Sequence, residues 1–143
     1  MGRMSKLWCS AHHRSNLRFC GSAAEIPAHP GAYLLLIELA KPIALVRPAR
    51  ATLQPGRYLY CGSAYGPGGL KARVSRHMRR EKLKRWHVDQ LTASAAVLGA
   101  WILPHGNECD LIAQQTELPV AIAHFGNSDC RRCRSHLLGP SSL

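Results

Sequence analysis

The sequence predicts one small α+β domain, a central antiparallel sheet flanked by helices. Three observations carry that expectation. Strand-length apolar runs end in Pro or Gly signals, as in AYLLLIEL over 32–39, which is bounded by His-Pro-Gly and Lys-Pro. The hydrophobic period changes from two to about 3.6 after Gly66-Pro67-Gly68-Gly69, where Leu70, Val74 and Met78 fall four apart. Finally, 143 residues that are 46% hydrophobic and 19% charged suit a single core, and no repeat or low-complexity tract divides them.

Taken in order, residues 1–28 mix Cys, His, Arg and Ser with neither period, and read as an N-terminal extension compatible with disorder. Regular structure is expected from Pro30-Gly31, with 32–39 as the first strand and 43–46 as a second. A loop containing Pro48 and the turn signal Gln54-Pro55-Gly56 leads to RYLYCGS over 57–63, a third strand closing an antiparallel meander. The Leu70, Val74, Met78 stripe then marks a helix, and Trp86 to about Ser94 a shorter one with Val88 and Leu91 inward. AAVLGAWIL over 95–103 returns to strand, and Pro104-His105-Gly106-Asn107 breaks it. Asn107 is the N-cap candidate for a helix from Glu108 to about Thr116, with Leu111 and Ile112 buried. Residues 120–125 give a last strand-like piece, so the domain is expected over 29–138, with 139–143 as a C-terminal tail.

Lys and Arg number 19 against 8 for Asp and Glu, a formal net charge of +11. So large an excess points to a polyanion, either nucleic acid or an anionic membrane surface. No apolar run reaches the roughly 18 residues of a membrane span. The basic N-terminus is interrupted by His12, His13, Arg14 and Asn16 where a secretion signal needs an apolar stretch. The expectation is a cytoplasmic protein without membrane partners, whose thiols are free or metal-bound rather than paired as disulfides.

The charge is concentrated. Lys71, Arg73, Arg76, Arg79, Arg80, Lys82, Lys84 and Arg85 place eight cations within fifteen residues, opposed there by Glu81 alone. Such a segment attracts phosphates, each one neutralised adding roughly 0.9 to the salt slope of binding. The alternative is a solvated helix face. Arg73 and His77 lie four apart beside the apolar stripe and should point toward the sheet edge. There Arg73 either clamps a phosphate through two parallel hydrogen bonds or pairs with a structural carboxylate. Tyr58 and Tyr60 share one strand face, with Leu59 and Cys61 on the other.

Gly31-Ala32-Tyr33 and Tyr60-Cys61-Gly62 on two strands, with an arginine on the following helix, resemble the GIY-YIG nucleases, whose name records two such tripeptides. The chain more closely resembles the small GIY-YIG-related family of unknown function, found alone or fused to endonuclease III. That resemblance rests on Tyr60-Cys61-Gly62-Ser63-Ala64, Arg73 to His77, Trp86-His87-Val88-Asp89, Glu108-Cys109 and Phe125-Gly126-Asn127-Ser128-Asp129-Cys130, and covers about residues 30–138. Ala32 and Cys61 replace Ile and Ile or Val of the founding motif, at middle positions facing away from the paired tyrosines.

The resemblance implies a GIY-YIG-like fold and a metal-dependent endonuclease acting on DNA, with a structural or repair-linked substrate. It assigns Tyr33, Tyr60 and Arg73 to the active site, with His77 assisting, and Glu108 to a Mg²⁺ or Mn²⁺ ion. Asn127 is the nearest candidate for the late asparagine of many GIY-YIG nucleases. Phosphodiester hydrolysis needs an activated water, neutralised phosphate charge and a stabilised leaving alkoxide, and a hard cation on one carboxylate serves the last two. A tyrosine would act as base only if the metal or Arg73 lowered its pKa from about 10. Glu108 has another reading too, since an acid in a helix's first turn gains about 0.3 to 1 kcal/mol from the macrodipole. The competing functional class is a non-catalytic nucleic-acid-binding accessory module, with a repair glycosylase as its partner.

A second constellation uses the cysteines, which stand at 9, 20, 61, 109, 130 and 133. Cys130-x-x-Cys133-x-x-His136 has the spacing that brings two thiolates and an imidazole to one Zn²⁺, with Cys109, His124 and Asp129 as companions. Free buried thiols or a redox-sensitive pair remain as alternatives. Arg131, Arg132 and Arg134 would lower the thiol pKa values in either case.

Overall fold

A strand buried on one face alternates apolar and polar residues, whereas one covered on both faces is apolar throughout. The run at 32–39 is of the second kind. In the computed structural model, which describes residues 17–80, 83, 86–115, 118–126 and 133–141, it forms β2 (Gly31–Leu39) at the centre of a five-stranded antiparallel sheet. The other strands of that sheet are β1 (Arg18–Cys20), β5 (Gly56–Ser63), β6 (Ala96–Pro104) and β7 (Leu137–Ser141), in the order β1-β6-β2-β5-β7. Tyr33, Leu35 and Ile37 face one core with Tyr58 and Tyr60, while Ala32, Leu34 and Leu36 face another with Leu59 and Cys61.

Each core is closed by helices. On the tyrosine side lie α1 (Gly69–Met78), contributing Leu70 and Val74, and α2 (His87–Thr92), contributing Val88 and Leu91. On the other side α3 (Glu108–Ala113) buries Leu111 and Ile112 beside Trp101. The fold class is therefore α+β, as the sequence predicts. Two left-handed glycines start α1, Gly68 at φ 82° and Gly69 at φ 59°, and a Cβ on Gly69 would collide with the Ala28 carbonyl oxygen. Asn107 caps α3 as expected, its side chain accepting from the Asp110 N–H at 3.1 Å. The helix ends at Ala113, short of the expected Thr116.

Three parts of the topology differ from the sequence expectation. The strand at 43–46 does not join a meander: β3 (Ile43–Leu45) pairs with β4 (Ala51–Leu53) in a separate two-stranded sheet, and β2 pairs directly with β5. Residues 120–125 are not a strand, since only Val120 bridges, to Leu138. The strand there is β7, which extends beyond the expected boundary at 138; its Gly139-Pro140 pair disguises it, but an edge strand tolerates a missing N–H. Lastly, residues 18–20 of the expected extension form β1, with Phe19 opposite Trp101 at 4.9 Å between ring centroids. Residues 1–16 lie outside the described residues. Among the described residues, no helix is long and apolar enough to cross a membrane.

Candidate active site and metal centre

Tyr33 stands opposite Gly62 in the β2–β5 register. A Cβ at position 62 would overlap the Tyr33 hydroxyl, so the glycine makes room for the ring to lie across β5. That hydroxyl lies 2.7 Å from His77 Nε2, contributed by the last turn of α1. Tyr60 packs edge-on against the same imidazole, with centroids 6.0 Å apart, and against Phe125 at 6.1 Å. His77 is thus held between the two signature tyrosines.

Burial, reinforced by the charge of Tyr60, raises the Tyr33 hydroxyl well above its ordinary pKa; Arg73 pulls it down but does not win. Burial likewise raises Tyr60, with Glu108 as the next contributor and Arg73 again opposing. Both phenols are therefore neutral donors in this fold, and Arg73 alone does not make either one a base. When the Tyr33 hydroxyl donates, Nε2 of a neutral His77 accepts and the ring proton sits on Nδ1.

The arginines of α1 divide the work. Arg76 forms a two-point ion pair with Asp89, at 2.7 and 2.8 Å, and Asp89 is fully buried on α2. The same carboxylate accepts the Trp86 N–H at 2.9 Å, capping α2. The structural pairing that sequence leaves open for Arg73 is thus made by Arg76, one of the expected nucleic-acid contacts. Arg73 instead lies on the Trp86 ring, 4.5 Å from its centroid, with Arg76 4.2 Å from the same ring. One guanidinium nitrogen of Arg73 faces Gly66, 3.6 Å from where a Cβ would stand. Lys71, Arg79 and Arg80 are exposed, and Lys82, Lys84 and Arg85 lie outside the described residues.

Glu108 opens α3, which packs on the opposite sheet face from Tyr33 and Tyr60. Its carboxylate is 3.5 Å from His136 Nδ1, and its main-chain oxygen accepts from Cys61 Sγ at 3.1 Å. Its charge still reaches the site, contributing to the raised pKa of both tyrosines. The structure therefore gathers Tyr33, Tyr60, His77 and Arg73 around α1, and sets Glu108 at the border with a second cluster.

That second cluster joins Cys109, Cys133 and His136, whose ligand atoms all lie within 4.8 Å of one another and could hold a metal ion. His136 is 1% exposed, and neither ring nitrogen meets hydrogen-bond geometry with any partner. Buried polar atoms are seldom left so without a reason. Of the expected zinc ligands, Cys133 and His136 converge, Cys109 joins them, His124 is exposed and outside the cluster, and Cys130 and Asp129 lie outside the described residues, as does Asn127, the candidate late asparagine.

Sequence reasoning underrated α2. Trp86 supports Arg73, Asp89 anchors Arg76, and His87 Nδ1 accepts the Gly126 N–H at 3.0 Å, tying Gly126 down near Tyr60. The available signal was the Trp86 to Asp89 spacing, that of an acidic N3 residue in a capped helix.

The family model of the domain of unknown function DUF123 matches residues 32–142. No curated protein and no solved structure gives a significant match. The chain belongs to the DUF123 family, which is the small GIY-YIG-related family of unknown function.

Proposed function

We propose that this DUF123-family chain is a metal-dependent endonuclease that hydrolyses phosphodiester bonds in DNA. The observation that supports the reading best is the Tyr33 to His77 hydrogen bond of 2.7 Å, with Tyr60 on the same imidazole and Arg73 beside them. Arg73, supported by the Trp86 face, grips a phosphate with paired donors. Tyr60 is a neutral phenol able to donate toward a developing oxyanion rather than to remove a proton. His77 is 1% exposed and its Nε2 is engaged by the Tyr33 hydroxyl, so its part is to hold that phenol in position beside the phosphate.

Glu108 fits a hard divalent cation: its side chain is 29% exposed, so water can complete the shell around one carboxylate. Bound there, Mg²⁺ or Mn²⁺ supplies charge neutralisation at the phosphate. The soft donors Cys109, Cys133 and His136 fit Zn²⁺ instead, and Cys130, by its Cys-x-x-Cys spacing, is the candidate fourth ligand. Thiolate ligands of this kind suit a reducing cytoplasm.

The cysteine cluster also favours a second reading, a zinc-stabilised nucleic-acid-binding module that recruits a repair enzyme without cleaving. A panel of supercoiled, nicked, branched and single-stranded DNA with Mg²⁺ or Mn²⁺ separates the two. The nuclease cleaves at least one, and Glu108→Ala lowers the rate by about 100-fold or more while binding persists. Tight binding of every substrate with none cleaved removes the catalytic reading.

A further inference from the structure

The end of the sheet where β2 begins and β5 and β6 finish carries three exposed rings outside the Tyr33, His77, Tyr60 cluster. Tyr65, just after β5, is 58% exposed, yet its hydroxyl is fixed by donating to the Gly106 carbonyl at 2.7 Å. His105, next to Gly106, is exposed in the left-handed region at φ 62°, and its N–H donates to the Pro30 carbonyl at 2.8 Å. His29, also exposed, lies 6.1 Å from His105 between ring centroids. Backbone hydrogen bonds fasten the segments that carry them: Ala64 N–H to Gly31 O at 2.7 Å and Leu70 N–H to His29 O at 2.8 Å. The rings therefore stand on a rigid frame.

A lone exposed tyrosine is ordinary on a protein surface. This one is held in place by its polar end, which bonds to the residue after His105, and it directly precedes Gly66, the residue that Arg73 faces. We infer that Tyr65, with His105 and His29, forms a stacking platform for the unpaired bases of a nucleic-acid strand whose phosphate Arg73 holds. The inference rests on the nucleic-acid reading above and narrows its substrate class to strands with unpaired nucleotides beside the gripped phosphate. An open ring face accepts any base, whereas bases inside a duplex present only their edges.

The test is fluorescence anisotropy of the full chain, without added Mg²⁺ or Mn²⁺, on a labelled 15-nucleotide oligothymidine and on a blunt 15-base-pair duplex. Tyr65→Ala weakens the oligothymidine complex about tenfold and the duplex complex less than about twofold, whereas Tyr65→Phe, which keeps the ring, stays within about threefold of the parent. His29→Ala, which leaves Tyr65 and His105 in place, gives a smaller loss of about threefold on oligothymidine alone. Unchanged melting temperatures show that the variants fold. Equal losses on both probes, or none with Tyr65→Ala, overturn the platform while the nucleic-acid reading stands. A parent that binds neither probe overturns both.

Discussion

The two faces of the sheet satisfy their buried polar groups to different extents. On the α1 face, Tyr33 meets His77 Nε2, Arg76 meets Asp89, and Asp89 also takes the Trp86 N–H, so that among these groups His77 Nδ1 alone stands outside hydrogen-bond geometry. On the α3 face, His136 is buried with neither ring nitrogen in a hydrogen bond, and two thiols stand beside it. The first arrangement pairs one nitrogen of its imidazole and both of its charged groups within the fold. The second reaches comparable satisfaction once an ion takes its electron pairs. Glu108 and Cys109 are neighbours in sequence at the boundary, so whatever fixes Cys109 also fixes the carboxylate proposed for catalysis.

The largest expected effect breaks the dependent face. If zinc completes the cluster, the purified protein carries one zinc per chain, and Cys133→Ser loses it and lowers the melting temperature by about 8 °C or more. Metal analysis with scanning calorimetry checks this; a parent without zinc, or a variant melting at the parent's temperature, makes the two faces alike. The next effect falls on the α1 face. Gly62→Ala forces a Cβ into the Tyr33 hydroxyl and should cost about 2 kcal/mol in urea unfolding, with metal content unchanged. Stability equal to the parent's would show that Tyr33 is not confined by the glycine.

The same contrast explains what was legible in the sequence. β2 could be read because its apolar run is bounded by Pro and Gly, and the start of α3 because Asn107 announces its own cap. β7 could not, because Gly139-Pro140 reads as a break and only its place at the sheet edge makes the proline harmless. The helix period put Arg73 and His77 beside the apolar stripe but could not say that the arginine with a carboxylate partner is Arg76. Asp89 lies on the next helix, and its reach is a property of packing. The pairing of Tyr33 with His77 spans 44 residues, yet the tripeptide motif and the helix stripe aimed both inward. The metal cluster was half visible: the Cys-x-x-Cys spacing is local, but bringing Cys109 to Cys133 and His136 requires α3 to dock against the approach to β7.

The smallest effect concerns a contact that joins the α1 face to the loop before the cysteine pair. His87 Nδ1 accepts the Gly126 N–H at 3.0 Å, so this nitrogen must be unprotonated for the contact to exist. Burial, and after it the charge of Arg47, lowers the His87 pKa from its ordinary value. In the unfolded chain the ring takes a proton near pH 6.5, whereas in the folded chain it does so only at lower pH. The unfolded state therefore binds more protons in the interval between the two values. The contribution is present above about pH 6.5 and is lost as the pH falls through that interval. Amide exchange at Gly126, corrected for its intrinsic pH dependence, should show protection falling over this range before protection in β2 and β5 does. His87→Phe, which cannot accept the hydrogen bond, should have low Gly126 protection at every pH. A Gly126 amide whose protection is the same from pH 7 to pH 5 would mean that Gly126 is held by its packing against Tyr60 and not by the His87 hydrogen bond.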